Sequence, residues 1–482
     1  MTVKSVDITI ISNGLGAVPP GGGETIAVVG VSSTGTANQA IQSSDPADFV
    51  TNNGYGPGVQ AAAFVTQHGG NPVIFVKAAT SSAGTNSAVT HTGTGTSVVT
   101  VSGTPLDTYY AVATVITGGT IGTAGCVVAV SLDAGRTTYA TATLGTGNTY
   151  AVPNTGLTLN FGAGSLVAGD TYTFVSLEPT ATAANIVAAI EGLLASGMAF
   201  KNVLVVGAIN ASDAATIKAE ATVLFNKKRF TRLFCNARDV TWGGTSNETE
   251  AQWVTSISTD FAGLDADRLN VAAGYYNIIS PLSSTQFRRP LSWAEAAVDS
   301  TTDIGTDISW VALGAYPMVA KPSVSDGFIY YDAQNNAALD TARFSTAQLL
   351  YGKPGWYLTN SNMMAAAGSD FSILPYCEVV DEACRIAYLF FTDYLGGSVR
   401  VSATTGFILP ADANDIDARC TAELQAGLGN GVSSIRNVVT RNSNILSTRI
   451  LTTTVEIVPL GYINVVSITM TFVNPALVAV AA

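Results

Sequence analysis

Charge is what this 482-residue chain has least of. Asp, Glu, Lys and Arg together make up 12% of its residues, against about 25% in ordinary soluble domains. A dispersed monomer relies on surface charge to keep clear of its neighbours. The composition therefore describes a surface that is mostly covered, either in a large, well-buried secreted protein or by other copies of the chain. The net charge of −12 is spread without runs of like sign. Lys227-Lys228-Arg229, followed by Arg232, is the one basic triplet, and Phe225 and Phe230 beside it read as helix-end packing. Direct nucleic-acid binding, which needs a concentrated basic footprint, is excluded.

Histidine and cysteine are also scarce. His68 and His91 are the two histidines, and the five cysteines, Cys126, Cys235, Cys377, Cys384 and Cys420, form no CxxC pair. Zinc sites need such clusters, so no metal or other cofactor is expected. An odd cysteine count excludes a closed set of internal disulfides. It leaves buried free thiols or oxidation between subunits through any of the five. No apolar run reaches the ~18 residues of a membrane span, so no membrane insertion is expected. The first residues lack a signal peptide's cationic start and apolar core, which predicts a protein made and kept in the cytoplasm, at least at first.

Catalytic patterns are missing as well. Gly30-Val-Ser-Ser-Thr-Gly35-Thr36 follows a strand, as a phosphate loop does, but Thr36 stands where the Walker lysine must be. No dinucleotide fingerprint is matched. His68 precedes Gly69-Gly70 at a helix end, and His91 lies in a Thr/Gly stretch. Neither has the nucleophile context of a triad, so the reading is not an enzyme. Asp412, Asp415 and Asp417 suit a helix N-terminus better than a calcium loop. Arg288-Arg289-Pro290, with Trp293 beyond, enters a short helix. Its two guanidiniums suit bidentate pairing with carboxylates, either as a local salt bridge or as a subunit contact.

What is present is patterned β-structure at both ends. Val6, Ile8 and Ile10 alternate with polar residues, and Ile463, Val465, Ile468, Met470 and Phe472 lie in a second strand-like stretch over 462–473. Termini are poorly ordered unless tied down, so both arms need a sheet to join. Residues 24–77 alternate strand and helix, with Asp45 as N-cap and Pro46 at the first helical position. Residues 80–181 are rich in Thr, Gly, Val and Ser, with short alternating strands and turns. From Thr182 helices return: 184–194, 212–225 capped by Ser212, and 248–261, with strands at 203–207, 230–235 and 269–273. Beyond about 330, strands at 356–359 and 371–374 precede long helices at 378–394 and 412–428 and strands at 435–440 and 450–458. The fold class is multidomain α+β, consisting of a mixed α/β core, an inserted all-β domain and a C-terminal α+β domain, with extended strand arms. The boundaries are 1–20, 21–79, 80–181, 182–335, 336–460 and 461–482.

The order of short motifs resembles the contractile tail sheath family. At the start stand Ala27-Val-Val-Gly-Val-Ser-Ser-Thr-Gly35, Ser43-Ser44-Asp45-Pro-Ala-Asp48-Phe49, Gly54-Tyr-Gly56, and His68-Gly69-Gly70-Asn-Pro-Val73-Ile-Phe-Val-Lys77. Near the end stand Gly355-Trp356-Tyr-Leu-Thr-Asn360, Ser369-Asp370-Phe371, Val379-Val380-Asp381-Glu-Ala383, Gly406-Phe-Ile408 and Pro459-Leu-Gly-Tyr462 with Asn474-Pro475. Arg288-Arg289-Pro290 with Trp293 resembles a mid-chain stretch of the same family. The family often has Arg just before the Val-x-Asp stretch, where this chain has Cys377-Glu378. The resemblance implies stacked hexameric rings around a tail tube, with terminal arms adding strands to neighbouring subunits. It implies contraction that drives the tube through a host envelope, and an insertion facing outward. The implied partners are the chain itself, the tube protein, and baseplate and tail terminator proteins. The implied location is a virion tail assembled in the bacterial cytoplasm. A sheath of a phage-like particle or secretion system stays open, as does a β-rich surface adhesin, which would need an export signal.

Overall fold

A computed structural model describes residues 25–241, 247–319, 327–442 and 444–470. Its centre is a six-stranded sheet of β1 (Ile26–Gly30), β2 (Ala40–Ser43), β3 (Val73–Lys77), β4 (Asn202–Ala208), β5 (Leu233–Asn236) and β6 (Leu269–Ala272). The spatial order is β6-β5-β4-β1-β3-β2. Five strands run parallel, and β2 is antiparallel to β3 at the edge. Strands buried on both faces read as continuous apolar runs, which is why IAVVG and VIFVK carry no alternation. Ala27 and Val29 enter one core while Ile26 and Val28 enter the other.

Six helices clothe the sheet: α1 (Pro46–Asn53), α2 (Pro57–Gly69), α3 (Ala183–Ala195), α4 (Ala211–Asn226), α5 (Glu250–Phe261) and α6 (Leu291–Asp299). Side chains of α3, α4 and α5 fill one core, and those of α1, α2 and α6 fill the other. Asp45 caps α1, its Oδ1 accepting from the Ala47 N–H at 2.9 Å, with Pro46 in the first turn. The α4 cap is Asn210 rather than the expected Ser212. Asn210 and Asp213 satisfy each other's backbone N–H groups in a capping box, which a side chain at 212, inside the first turn, cannot do. Gly70 ends α2 in the left-handed conformation, φ 67°.

In open α/β sheets the crevice where strand order reverses, here between β1 and β4, is the usual ligand site. In this chain it is filled. A Cβ on Gly30 would lie 2.8 Å from the Gly58 Cα and 2.9 Å from the Val206 Cβ, so α2 rests directly on the end of β1. Gly30→Val should cost on the order of 1–3 kcal/mol or more through overpacking, read as a lower midpoint in thermal denaturation. An unchanged midpoint would refute this packing.

Between β3 and α3 the chain builds a separate antiparallel body, called the insertion below. One sheet orders Ala140–Leu144, Cys126–Ser131, Tyr109–Thr117, Thr171–Leu177 and Thr85–Asn86, with Thr90–Thr92 also on Thr171–Leu177. A second orders Thr149–Val152, Leu157–Phe161 and Val99–Ser102. Tyr109–Thr117 alternates buried and half-buried residues over most of its length, the pattern of a strand with one face on a core. That core, around Val128, Leu159, Phe161 and Tyr172, contains one residue from outside the insertion, Phe287.

The C-terminal portion carries α7 (Ala338–Thr341), α8 (Leu374–Thr392), α9 (Pro410–Leu428) and α10 (Ile445–Thr448), with a hairpin of Val432–Val439 and Thr453–Pro459. The strand expected at 371–374 is not formed. Pro375, suited to a first helical turn, lets α8 begin at Leu374 instead. The strand expected at 450–458 begins three residues later and runs to Pro459. Val379, Ala383, Cys420, Leu424 and Ile435 make a small core between α8, α9 and the hairpin. Among the described residues no helix is long and apolar enough to cross a membrane.

Candidate functional site

Two features of the C-terminal portion bear on function: how it is fastened to the central sheet, and what leaves from it.

The fastening is ionic. Lys201 and Arg232 stand immediately before β4 and β5, and Arg268 just before β6. All three basic groups therefore collect at the N-terminal rim of the sheet. Asp299 arrives from the last residue of α6, and Glu378 and Asp381 from the first turns of α8. Lys201 Nζ lies 3.0 Å from Asp299 Oδ1 and 3.3 Å from Glu378 Oε1. Arg232 reaches Asp381 Oδ2 at 3.2 Å and Glu378 Oε1 at 3.6 Å, while Arg268 reaches Asp381 Oδ1 at 2.6 Å. Asn202 stitches the set together. Its Nδ2 donates to Asp299 Oδ2 (2.7 Å), and its Oδ1 accepts from Arg232 Nε (3.0 Å). Except for the half-exposed Arg268, the six charged side chains are buried.

With all three carboxyls ionised, three cations against three carboxylates cancel, the condition for burying them at all. Burial disfavours the charged ammonium of Lys201, but Asp299 and Glu378 outweigh it and raise its pKa. Arg232 behaves likewise, with Glu378 and Asp381 outweighing burial. Burial pushes the Glu378 carboxyl up to about 7, opposed by Lys201 and Arg232. Nothing in the sequence marked Lys201, Arg232 or Asp299 as partners. The one available signal was the placing of single charges at strand starts in a chain so poor in charge.

Beyond the hairpin, Tyr462 is tied down. Its hydroxyl donates to the Gly305 carbonyl at 2.6 Å, and its ring packs 5.5 Å from that of Tyr376. Residues 463–470, expected as strand, form none in the isolated chain, because a strand without a partner has no ladder to join. Their side chains stand in solvent: Ile463 is 82% exposed, Val465 84%, Ile468 71% and Met470 88%. Phe472, Val6, Ile8 and Ile10 lie outside the described residues.

Arg288 and Arg289 are spent inside the chain. Arg288 grips Asp239 with Nε–Oδ2 2.6 Å and Nη2–Oδ1 2.8 Å, and Arg289 Nη2 meets Asp107 Oδ2 at 2.6 Å. Both arginines are buried and pair within the chain: the Arg288–Asp239 pair lies inside the core, and the Arg289–Asp107 pair joins the core to the insertion. Cys126, Cys235, Cys377 and Cys420 are buried and Cys384 is half-buried, all five as free thiols. Burial pushes the Cys377 thiol up to about 12 and that of Cys420 to about 11, away from the reactive thiolate. A bond between copies through any of the four buried sulfurs would require the fold to open. Of the acidic trio at α9, Asp412 pairs with Arg400, and Asp417 accepts from the Val439 N–H at 2.7 Å.

Residues 3–362 match the family model described as "DUF2586, N-terminal domain". Among solved structures, a chain of the contracted anti-feeding prophage (AFP) baseplate is similar over 98% of each chain, at 11% identity and a TM-score of 0.51. A chain of the contracted AFP helical sheath is similar over 97% of this chain and 99% of that one, at 10% identity and 0.48. A sheath tail protein from Desulfitobacterium hafniense is similar over 92% and 98%, at 12% identity and 0.43. At these identities a likeness speaks to fold, and the first of them shows that this chain shares that fold over nearly its whole length. No curated protein matches the sequence.

Proposed function

The chain belongs to the DUF2586 family, and from that premise, together with its fold, we propose that it is the structural subunit of a contractile tail sheath. The observation that carries the reading is the arm after Tyr462. Val466, Ile468 and Met470, apolar at every second position and each more than two-thirds exposed, suit a segment that completes a sheet on another copy. Strand addition supplies main-chain hydrogen bonds, each worth roughly 0.5–1.5 kcal/mol net, while alternate side chains set the register. The low charge suits surfaces that meet other copies. In this reading, subunits stack as hexameric rings around a tail tube, with baseplate and terminator proteins at the ends. Contraction, without catalysis by this chain, drives the tube through the host envelope. Assembly takes place in the host cytoplasm, and the product is a virion tail.

A second reading within the same class, the sheath of a phage-like particle, is favoured by the likeness to the AFP baseplate chain. Negative-stain microscopy of the purified protein tests the class. Hollow cylinders are expected, and dispersed globular particles at every concentration and salt tried would refute it.

A further inference from the structure

We propose that the insertion is held on the core by a proton-dependent latch, in which one guanidinium, Arg289, faces two carboxyl groups, Asp107 and Glu178, that share a single proton. Arg289 belongs to the core strand Gln286–Pro290, whereas Asp107 precedes the first long strand of the insertion and Glu178 follows its last. The three groups thus sit where the insertion meets the body of the protein. Arg289 and Asp107 are buried and 2.6 Å apart. Thr108 ties Asp107 to Glu178: its N–H donates to Asp107 Oδ1 at 2.8 Å, its hydroxyl donates to Glu178 Oε2 at 3.3 Å, and the same hydroxyl oxygen accepts from the Glu178 N–H at 3.2 Å.

The charges around this point do not cancel if both carboxyls ionise. Arg288, the neighbouring cation, is committed to Asp239 through two hydrogen bonds. Tyr109 and Tyr110 from the insertion and Tyr275 from the core are held neutral, their pKa values raised by burial. Tyr139 is shifted the same way. Arg136 of the insertion turns to the Tyr330 hydroxyl (3.1 Å) and the Phe328 ring. Arg289 therefore balances Asp107, and an ionised Glu178, half-buried beside the pair, would be one negative charge too many. The simplest resolution is a protonated Glu178 donating to the Asp107 carboxylate. In keeping with that, burial and then Asp107 push the Glu178 carboxyl up to about 7.

The sign follows by linkage. Docking that raises an acid's pKa is strongest below its free value and weakens as pH rises through the docked one. Above neutrality the proton leaves to solvent, two carboxylates compete for one guanidinium, and the insertion loosens while the central sheet does not.

Hydrogen–deuterium exchange on the full chain tests this, with rates corrected for intrinsic pH dependence. Between pH 6 and pH 8, protection of the amides at 104–110 and 176–182 should fall about tenfold, the change linkage gives for an acid moved from the ordinary Glu range to about 7. Amides at 74–76, on a strand two places along the sheet from β4, should hold their protection. Glu178→Gln and Asp107→Asn each leave one negative charge or none against Arg289, and both should flatten the profile. A flat profile in the unmodified protein would overturn the proposal, as would an unchanged slope in whichever variant folds.

Discussion

Removing residues 463–482 should leave a folded protein that cannot form the tubes proposed for the intact chain. The cut falls after Tyr462, so the hydroxyl bond to Gly305 and the ring contact with Tyr376 both survive. The side chains removed from the described part of the arm, among them Ile463, Val465, Ile468 and Met470, are mostly solvent-exposed in the isolated chain, so little folding energy goes with them. On a partner's sheet each would bury apolar area worth on the order of 1.5–3 kcal/mol, an upper figure before ordering costs, with backbone bonds in addition. The thermal midpoint should stay within a degree or two, and sedimentation should show monomer at concentrations where the intact chain pellets as polymer. Tubes formed by the truncated chain would remove the arm from the assembly. A large fall in the midpoint would make the arm part of the subunit's own fold.

Asp381→Ala should be the most damaging single substitution among the charged residues. Asp381 answers two guanidiniums, Arg232 at 3.2 Å and Arg268 at 2.6 Å, and Arg232 has nowhere to find water. Breaking a buried pair by deleting one partner costs on the order of 3–5 kcal/mol, because Arg232 stays buried with only Glu378, 3.6 Å away and shared with Lys201, to face it. Unfolding of a chain this long need not be two-state, so the informative readout is local. Limited proteolysis should release a fragment beginning near α8 while the sheet core resists. Asp415→Ala is the control. Its partner Arg419 is 3.8 Å away, and both side chains are more than 60% exposed, so the change should fall within about 0.5 kcal/mol. Equal effects of the two substitutions would mean that the junction contributes no more than a surface pair.

Much of the fold was legible because the local signals were strong. The short alternating strands expected over 80–181 form, Cys126–Ser131 and Leu157–Phe161 among them, since one-faced burial writes its period into the sequence. Asp45 and Pro46 marked a helix start by chemistry that needs no tertiary context. The failures share a cause. Residues 371–374 have strand-like composition, but Pro375 and the packing of Leu374 into the sheet core draw them into a helix start. The junction was illegible because Lys201, Arg232, Arg268, Asp299, Glu378 and Asp381 come together only after β4, β5, β6, α6 and α8 have assembled. The arm was legible as a pattern but not as a strand, since a ladder is a property of two segments and the isolated chain supplies one.

Helix α6 has one more consequence. Arg289, which holds the insertion, lies two residues before its first turn, and Asp299, which holds Lys201, is its last residue. Nine residues at 1.5 Å each make a rod about 14 Å long, embedded on nearly every side: Leu291, Ser292, Trp293, Ala294, Glu295, Ala296, Ala297 and Asp299 are all buried. Such a rod neither bends easily nor slides past its packed neighbours. A pull on the insertion is therefore delivered, through unbroken helix, to the clasp that carries the C-terminal portion and its arm. The insertion and the C-terminal portion are mechanically in series, and the stiffness between them is set by one short, buried helix.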